Sequence, residues 1–84
     1  MVRGVSEAEI CQWCIAYVAR ALGRPAATID PQANLAGLGV DSAMAVYLTG
    51  ELEEWLGCEL PPEITFEHPT IAELAHWIAT EKVS

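Results

Sequence analysis

"LGVDSAMAVYL", Leu38 to Leu48, is the stretch on which the fold of this 84-residue chain turns. A glycine, Gly39, stands two residues ahead of an acid and a hydroxyl, Asp41-Ser42, and an apolar run follows at once. Asp or Ser in that place marks a helix start. Its side-chain oxygen accepts a first-turn amide proton and stabilises the helix by about 1 kcal/mol. Continued at about 100° per residue, a helix from Asp41 or Ser42 to Leu56, stopped before Gly57, gathers Ala45, Leu48, Thr49, Leu52 and Leu56 on one side. That side reads as core.

The opposite side collects Ala43, Met44, Tyr47, Gly50, Glu51 and Glu54. Such a mix of small, aromatic and acidic residues is unusual for a face that only meets water. Met44 and Tyr47 are adaptable contact residues, and Glu51 and Glu54 offer charge to a basic partner. The competing reading packs Met44 and Tyr47 beneath the connection that precedes the helix. Ser42 itself has two readings. It is a helix cap, or it is a point of attachment, since the free amides and the dipole of a helix N-terminus favour an anion there. Spacing alone does not choose between them.

Upstream, Ser6 and Glu9 fit a capping box, and Ile10, Cys14, Ile15, Val18, Ala21 and Leu22 recur at helical spacing. A first helix is expected from about residue 6 to Leu22, with Gly23 as its stop. "RPAATIDPQANLAGLGV" then forms a long connection pinned to the core by Ile29, Leu35 and Leu38. Downstream, "CELPPEITFEHPT" reads as a proline-bounded turn with one short helix around Glu63–Phe66. Thr70 and Glu73 repeat the capping-box pattern ahead of a last helix through Ile71, Leu74, Ala75 and Ile78. No stretch alternates with period two, and there is no internal repeat. The expected fold is all-α: a three-to-four-helix bundle with a long loop between its first two helices.

Length and charge narrow the function. The chain is one domain, residues 1–84 with a core at about 6–82, near the small end of what folds unaided. At 52% hydrophobic with three tryptophans it can fill one core, but it is too small to enclose a deep cleft between domains. The net charge is −8, and the cations are Arg3, Arg20, Arg24 and Lys82. Between Pro25 and Glu81 there is no Lys or Arg against ten acids. That field repels nucleic acid and anionic lipid and attracts basic protein surfaces. No apolar run approaches the ~20 residues of a membrane span, and the N-terminus lacks a signal pattern, so a cytoplasmic protein is expected.

"LGVDSAMAVYLTGELEEWLG", followed by "LPPEITFEHPTIAELA", resembles the acyl carrier proteins, specifically carrier domains of polyketide-synthase type. The likeness runs from Asp30-Pro31 through Ile78 and centres on Gly39, Asp41 and Ser42. It implies a non-catalytic chain whose Ser42 carries 4′-phosphopantetheine, delivered from coenzyme A by a phosphopantetheinyl transferase. The arm's thiol then holds an acyl chain as a thioester in polyketide or fatty-acyl biosynthesis. Ala43, Met44, Tyr47, Glu51 and Glu54 become docking residues. The implied partners are the transferase, an acyl-loading enzyme (an acyltransferase or a fatty-acyl-AMP ligase), a ketosynthase and other synthase domains, visited by a monomer. The resemblance has one departure: Ala43 follows the serine where the family usually has Leu or Met. Two other readings stand beside it. One is a peptidyl carrier of a nonribosomal synthetase. The other is a helical interaction domain in which Ser42 only caps.

Sharper chemistry finds little footing. "CQWC", Cys11 to Cys14, lies within the first helix, whereas a redox pair wants its first cysteine at a helix N-terminus. With only Cys58, His68 and His76 to add, zinc-finger spacing is missing. The cysteines read as free thiols, and His68 as part of the turn closing the bundle.

Overall fold

The computed structural model describes residues 4–83, so Arg3 lies outside it. Helix α1, Glu7–Leu22, opens on the full capping box. The Ser6 hydroxyl accepts the Glu9 amide at 3.1 Å, and the Glu9 carboxylate accepts the Ser6 amide at 3.0 Å. It closes at Gly23, whose φ of 67° favours a residue without Cβ. Its buried stripe is Ile10, Cys14, Val18 and Ala19. Ala21, expected inside, is exposed, because Ala19 takes the inward place in the last turn.

The long connection is more helical than its sequence indicates. It contains a 3₁₀ turn, Ala26–Thr28, and a one-turn helix α2, Leu35–Leu38. The bundle therefore has five α-helices among the described residues, not three or four. The Asn34 side chain caps α2 by accepting the Ala36 amide at 3.0 Å. Arg24 pins the connection, its guanidinium donating to the Leu38 and Thr28 carbonyls at 3.3 Å each. The Leu35 amide donates to the Pro69 carbonyl at 2.8 Å and the Ala72 amide to the Pro31 carbonyl at 2.9 Å. These bonds latch the connection onto the start of the last helix. Ile29 and Leu35 are buried and Leu38 half-buried, as a pinned loop requires.

Helix α3, Ser42–Leu56, buries Leu48, Thr49, Leu52 and Leu56, and the Thr49 hydroxyl donates back to the Ala45 carbonyl at 2.9 Å. Gly57 ends it at φ 76°. The Glu53 carboxylate then accepts the Leu60 amide at 2.8 Å and holds the following loop against the helix. Helix α4, Ile64–Glu67, is the short helix of the proline-bounded segment, and helix α5, Ile71–Ile78, continues into a π-turn at Ala79–Val83. Thr70 caps α5 through the Glu73 amide at 3.1 Å, but only half the box forms. The Glu73 carboxylate takes the Thr70 hydroxyl, not its amide.

α1 packs on α5 and α3 around a core of Ile10, Cys14, Val18, Leu48, Leu52, Leu56, Ile64, Ile71, Leu74 and Ile78. Outside it, Tyr17, Trp13 and Trp55 stack with centroids 5.4 and 5.2 Å apart, joining α1 to α3. The His68 ring lies 5.6 Å from Trp77 and closes the turn as expected, while His76 Nδ1 meets the Glu7 carboxylate at 3.1 Å. Among the described residues no helix is long and apolar enough to cross a membrane.

Candidate functional site

The start of α3 is built by the seven residues before it. Gly39 adopts φ 109°, a left-handed conformation in which a side chain would be strained. Its amide donates to the Ala36 carbonyl at 3.2 Å, and the Val40 amide to the Leu35 carbonyl at 3.0 Å. This pair of bonds is a Schellman turn, and its customary apolar contact sets Val40 beside Leu35, both buried. The chain is thereby reversed, and Asp41 arrives in extended conformation at φ −84°, ψ 178°. Its carboxylate accepts the Met44 amide at 2.8 Å.

Asp41 is therefore the cap, and Ser42 is the first residue inside the helix. The alternative in which Ser42 does the capping is overturned by that geometry. The Ser42 side chain is exposed, and among the described residues its hydroxyl takes part in no hydrogen bond. The amides of Ser42 and Ala43 point out of the helix start without an intrahelical acceptor, as in any first turn. An anion on the Ser42 oxygen would meet those donors and the positive end of a 15-residue helix, opposed by the Asp41 carboxylate alongside.

Beside Ser42 lies a cleft of about 360 Å³ between α2, the start of α3, and α4. Leu35, Val40, Ala45, Phe66 and Pro69 give it mainly apolar walls, and Ser42 stands at its edge. Phe66, one of the cleft's lining residues, is 77% exposed.

Ala43, Tyr47, Glu51 and Glu54 are exposed on α3, with Tyr47 at 70%, so Tyr47 does not pack under the connection. Met44 does turn inward: it is half-buried against the core. Val46, 68% exposed, belongs to the outward face as well. Its place one turn after Ser42 was the available signal.

Cys11 and Cys14 have no reactive setting. Burial, and then the Glu7 carboxylate, push the Cys11 thiol up; burial, and then Cys11, push Cys14 up to about 12. Thiols that hold their protons are poor nucleophiles and poor metal ligands. Among the described residues no group of three or more His, Cys, Asp or Glu is placed to hold a metal ion.

Residues 12–78 match the family described as the phosphopantetheine attachment site. The chain belongs to that carrier family. Carriers of this kind catalyse nothing themselves; their chemistry resides in the attached arm. This carrier is 42% identical over 78 residues, 93% of its length, to a phenolphthiocerol/phthiocerol polyketide synthase of Mycobacterium tuberculosis. It spans only 4% of that protein. It is similar in structure to a free-standing peptidyl carrier protein from Acinetobacter baumannii, with 30% identity, a TM-score of 0.85, and 90% and 95% of the two chains covered. An acyl carrier protein from Anabaena sp. PCC 7120 with a variant phosphopantetheinylation-site sequence is similar too. There the identity is 33%, the TM-score 0.82 and the coverage 93% and 92%. The all-α carrier fold expected from sequence is the fold observed.

Proposed function

We propose that Ser42 is the attachment residue, and that the carrier, a single domain over about residues 6–82, holds acyl chains as thioesters on 4′-phosphopantetheine in polyketide assembly. One observation carries this reading: Ser42 is a hydroxyl freed from structural duty at a helix start. It is also the only serine within the matched span 12–78. Three of the four threonines there are occupied. Thr28 donates to the Pro25 carbonyl at 2.7 Å, Thr49 to the Ala45 carbonyl at 2.9 Å, and Thr70 caps α5.

The residues fit the group. The exposed oxygen admits a transferase, the first-turn amides favour the phosphodiester, and the adjoining cleft offers apolar walls to whatever hangs beside it. When bound, the arm supplies the thiol, and the protein holds it at a defined helix end. Partners follow from this: a phosphopantetheinyl transferase using coenzyme A, an acyl-loading enzyme, and synthase domains such as a ketosynthase. A fatty-acyl-AMP ligase is one form of loading enzyme. Glu51, Glu54 and Tyr47, with Ala43 at the helix start, face them. Binding is weak and salt-sensitive, suited to a cytoplasmic monomer that visits several enzymes.

The likeness to the peptidyl carrier of A. baumannii favours one second reading, an aminoacyl cargo on the same arm. Incubation with coenzyme A and a broad-specificity transferase, followed by intact mass, tests the attachment. One phosphopantetheinyl group is expected on the wild type and none on folded Ser42→Ala; a gain on the variant removes Ser42 from the account.

A further inference from the structure

In a chain of net charge −8, Arg24 is one of four cations, yet among the described residues it is in no ion pair. Its guanidinium instead donates to two backbone carbonyls, Nη1 to that of Leu38 and Nη2 to that of Thr28, at 3.3 Å each. Thr28 ends the 3₁₀ turn and Leu38 ends α2. The last carbonyls of a helix have no donor within it, and an arginine nearby can supply one. One planar fork thus serves the ends of two successive elements. The bond to Thr28 is local, four residues along, whereas the bond to Leu38 spans fourteen.

The longer bond joins the end of α1 to the turn that precedes Ser42. The Arg24 amide donates to the Ala19 carbonyl at 2.9 Å, so its backbone is fixed to the last turn of α1. Leu38 stands directly before Gly39, and from there the chain runs through the turn to the Asp41 cap and Ser42. A second contact accompanies the bond: a Cβ built on Gly39 would lie 3.5 Å from Leu22 Cδ2, the last residue of α1 lying against this glycine. The other end of α2 is held separately, by the Leu35 amide on the Pro69 carbonyl at 2.8 Å. A helix of four residues does not hold its own shape in water, so α2 depends on these two grips. The buried residues of α3 begin only at Leu48, six residues past Ser42. Its first turn therefore leans on the segment ahead of it.

We propose that Arg24 is a positioning residue for Ser42. By clasping the Leu38 carbonyl it steadies the turn at Gly39, keeps Asp41 in the capping place and presents the Ser42 hydroxyl at a fixed angle. It acts through the backbone and not by contact with the reacting atoms. The inference rests on Ser42 being the attachment residue. In the transfer, the Ser42 oxygen bonds to the pantetheine-bearing phosphorus of coenzyme A and the pyrophosphate bond breaks. The adenosine bisphosphate leaves, and the serine proton passes to a base on the transferase. Attack on phosphorus needs an aligned oxygen, and a displacement of about 1 Å caused far from the chemistry can cost up to about 100-fold. The clasp is two exposed hydrogen bonds, so its loss should slow the transfer by less than that and not abolish it.

The test is steady-state transfer of the phosphopantetheinyl group from coenzyme A to the whole chain by a phosphopantetheinyl transferase, with wild type, Arg24→Ala and Arg24→Lys. Amide hydrogen exchange is followed on the same chains before modification. Arg24→Ala should lower kcat about fivefold and change KM less than about twofold, the pattern of intact docking with poorer alignment. Lysine keeps the charge without the fork, so Arg24→Lys should recover less than about half of that loss. In Arg24→Ala the Val40 and Met44 amides should exchange about tenfold faster, and the Leu52 amide in the core less than about threefold faster. A raised KM at unchanged kcat, restored in Arg24→Lys, would make Arg24 a docking charge and overturn the proposal. Equal acceleration at Met44 and Leu52 would mean a general loosening of the fold and overturn it as well. Should Arg24→Ala fold poorly, Arg24→Lys decides, and a kcat equal to wild type sinks the clasp. Wild type that takes up no group would bring down the Ser42 reading and this inference together. Normal wild-type transfer with unaffected variants removes the role of Arg24 alone.

Discussion

Helices α1 and α3 both open beside a serine, and the two hydroxyls differ by a single position. Ser6 stands before its helix and accepts the Glu9 amide, so its oxygen is part of the fold. Ser42 stands inside its helix because Asp41, one residue earlier, has taken the cap through the Met44 amide. Capping geometry admits one side chain. Supplying an acid for it leaves the neighbouring hydroxyl exposed, at the electropositive end of the helix, and free to react. The same helix shows a second contrast across its width. Leu48, Leu52 and Leu56 are wholly buried, whereas Val46 and Tyr47 are 68% and 70% exposed. The buried side makes the helix rigid, and the exposed side leaves it available.

The largest stability effect belongs to the buried side. Leu52→Ala should cost about 2–5 kcal/mol in a urea unfolding curve, since its cavity is surrounded by packed side chains. A loss no larger than that of Tyr47→Ala would erase the contrast between the two faces. Cys14, in the core of α1, gives a pH-dependent version of the same contrast. Its thiol is raised to about 12 in the fold against an ordinary 9.0, so above pH 9 the unfolded chain gives up a proton that the folded chain keeps. Stability present below pH 9 is therefore lost as the pH rises towards 12, by up to about 1.4 kcal/mol per unit. Urea midpoints for wild type and Cys14→Ala at pH 8 and 10 check it, and the wild type should show the steeper fall.

The caps come next. Ser6→Ala and Asp41→Ala should each cost about 1 kcal/mol. Both chains should still accept the phosphopantetheinyl group, read by intact mass; loss of modification in Ser6→Ala would contradict the division of roles. Smallest of all is the effect of Ser42→Ala on stability. Its hydroxyl bonds nothing among the described residues, so the melting temperature should stay within about 1 °C of wild type. A drop of 4 °C or more would mean that Ser42 shares the cap.

Much of this is legible in the sequence, and the exceptions share a cause. The capping box of α1, the inward face of α3 and the stops at Gly23 and Gly57 are local signals, carried by residues within a turn or two of one another. Helix α2 gives no such signal because four residues show no period, although Asn34 and Gly39 mark its two ends. Asp41 and Ser42 are equally good caps by residue type. Only the Schellman turn at Gly39 and Val40, which fixes where the extended residue falls, decides between them. The exposure of Val46 and Phe66 and the cleft at Ser42 depend on where α2 and α4 settle against α3. That is a long-range outcome that no window of sequence displays.

The most direct measurement moves the hydroxyl by that one position. A chain carrying Asp41→Ser together with Ser42→Ala keeps a serine at the helix start, but in the capping place. After incubation with coenzyme A and a transferase, its intact mass is compared with that of wild type treated alike. The account predicts a folded variant with no added group beside a wild type carrying one. A phosphopantetheinyl group on the folded variant would contradict it, because the free hydroxyl inside the helix would then not be what the carrier provides.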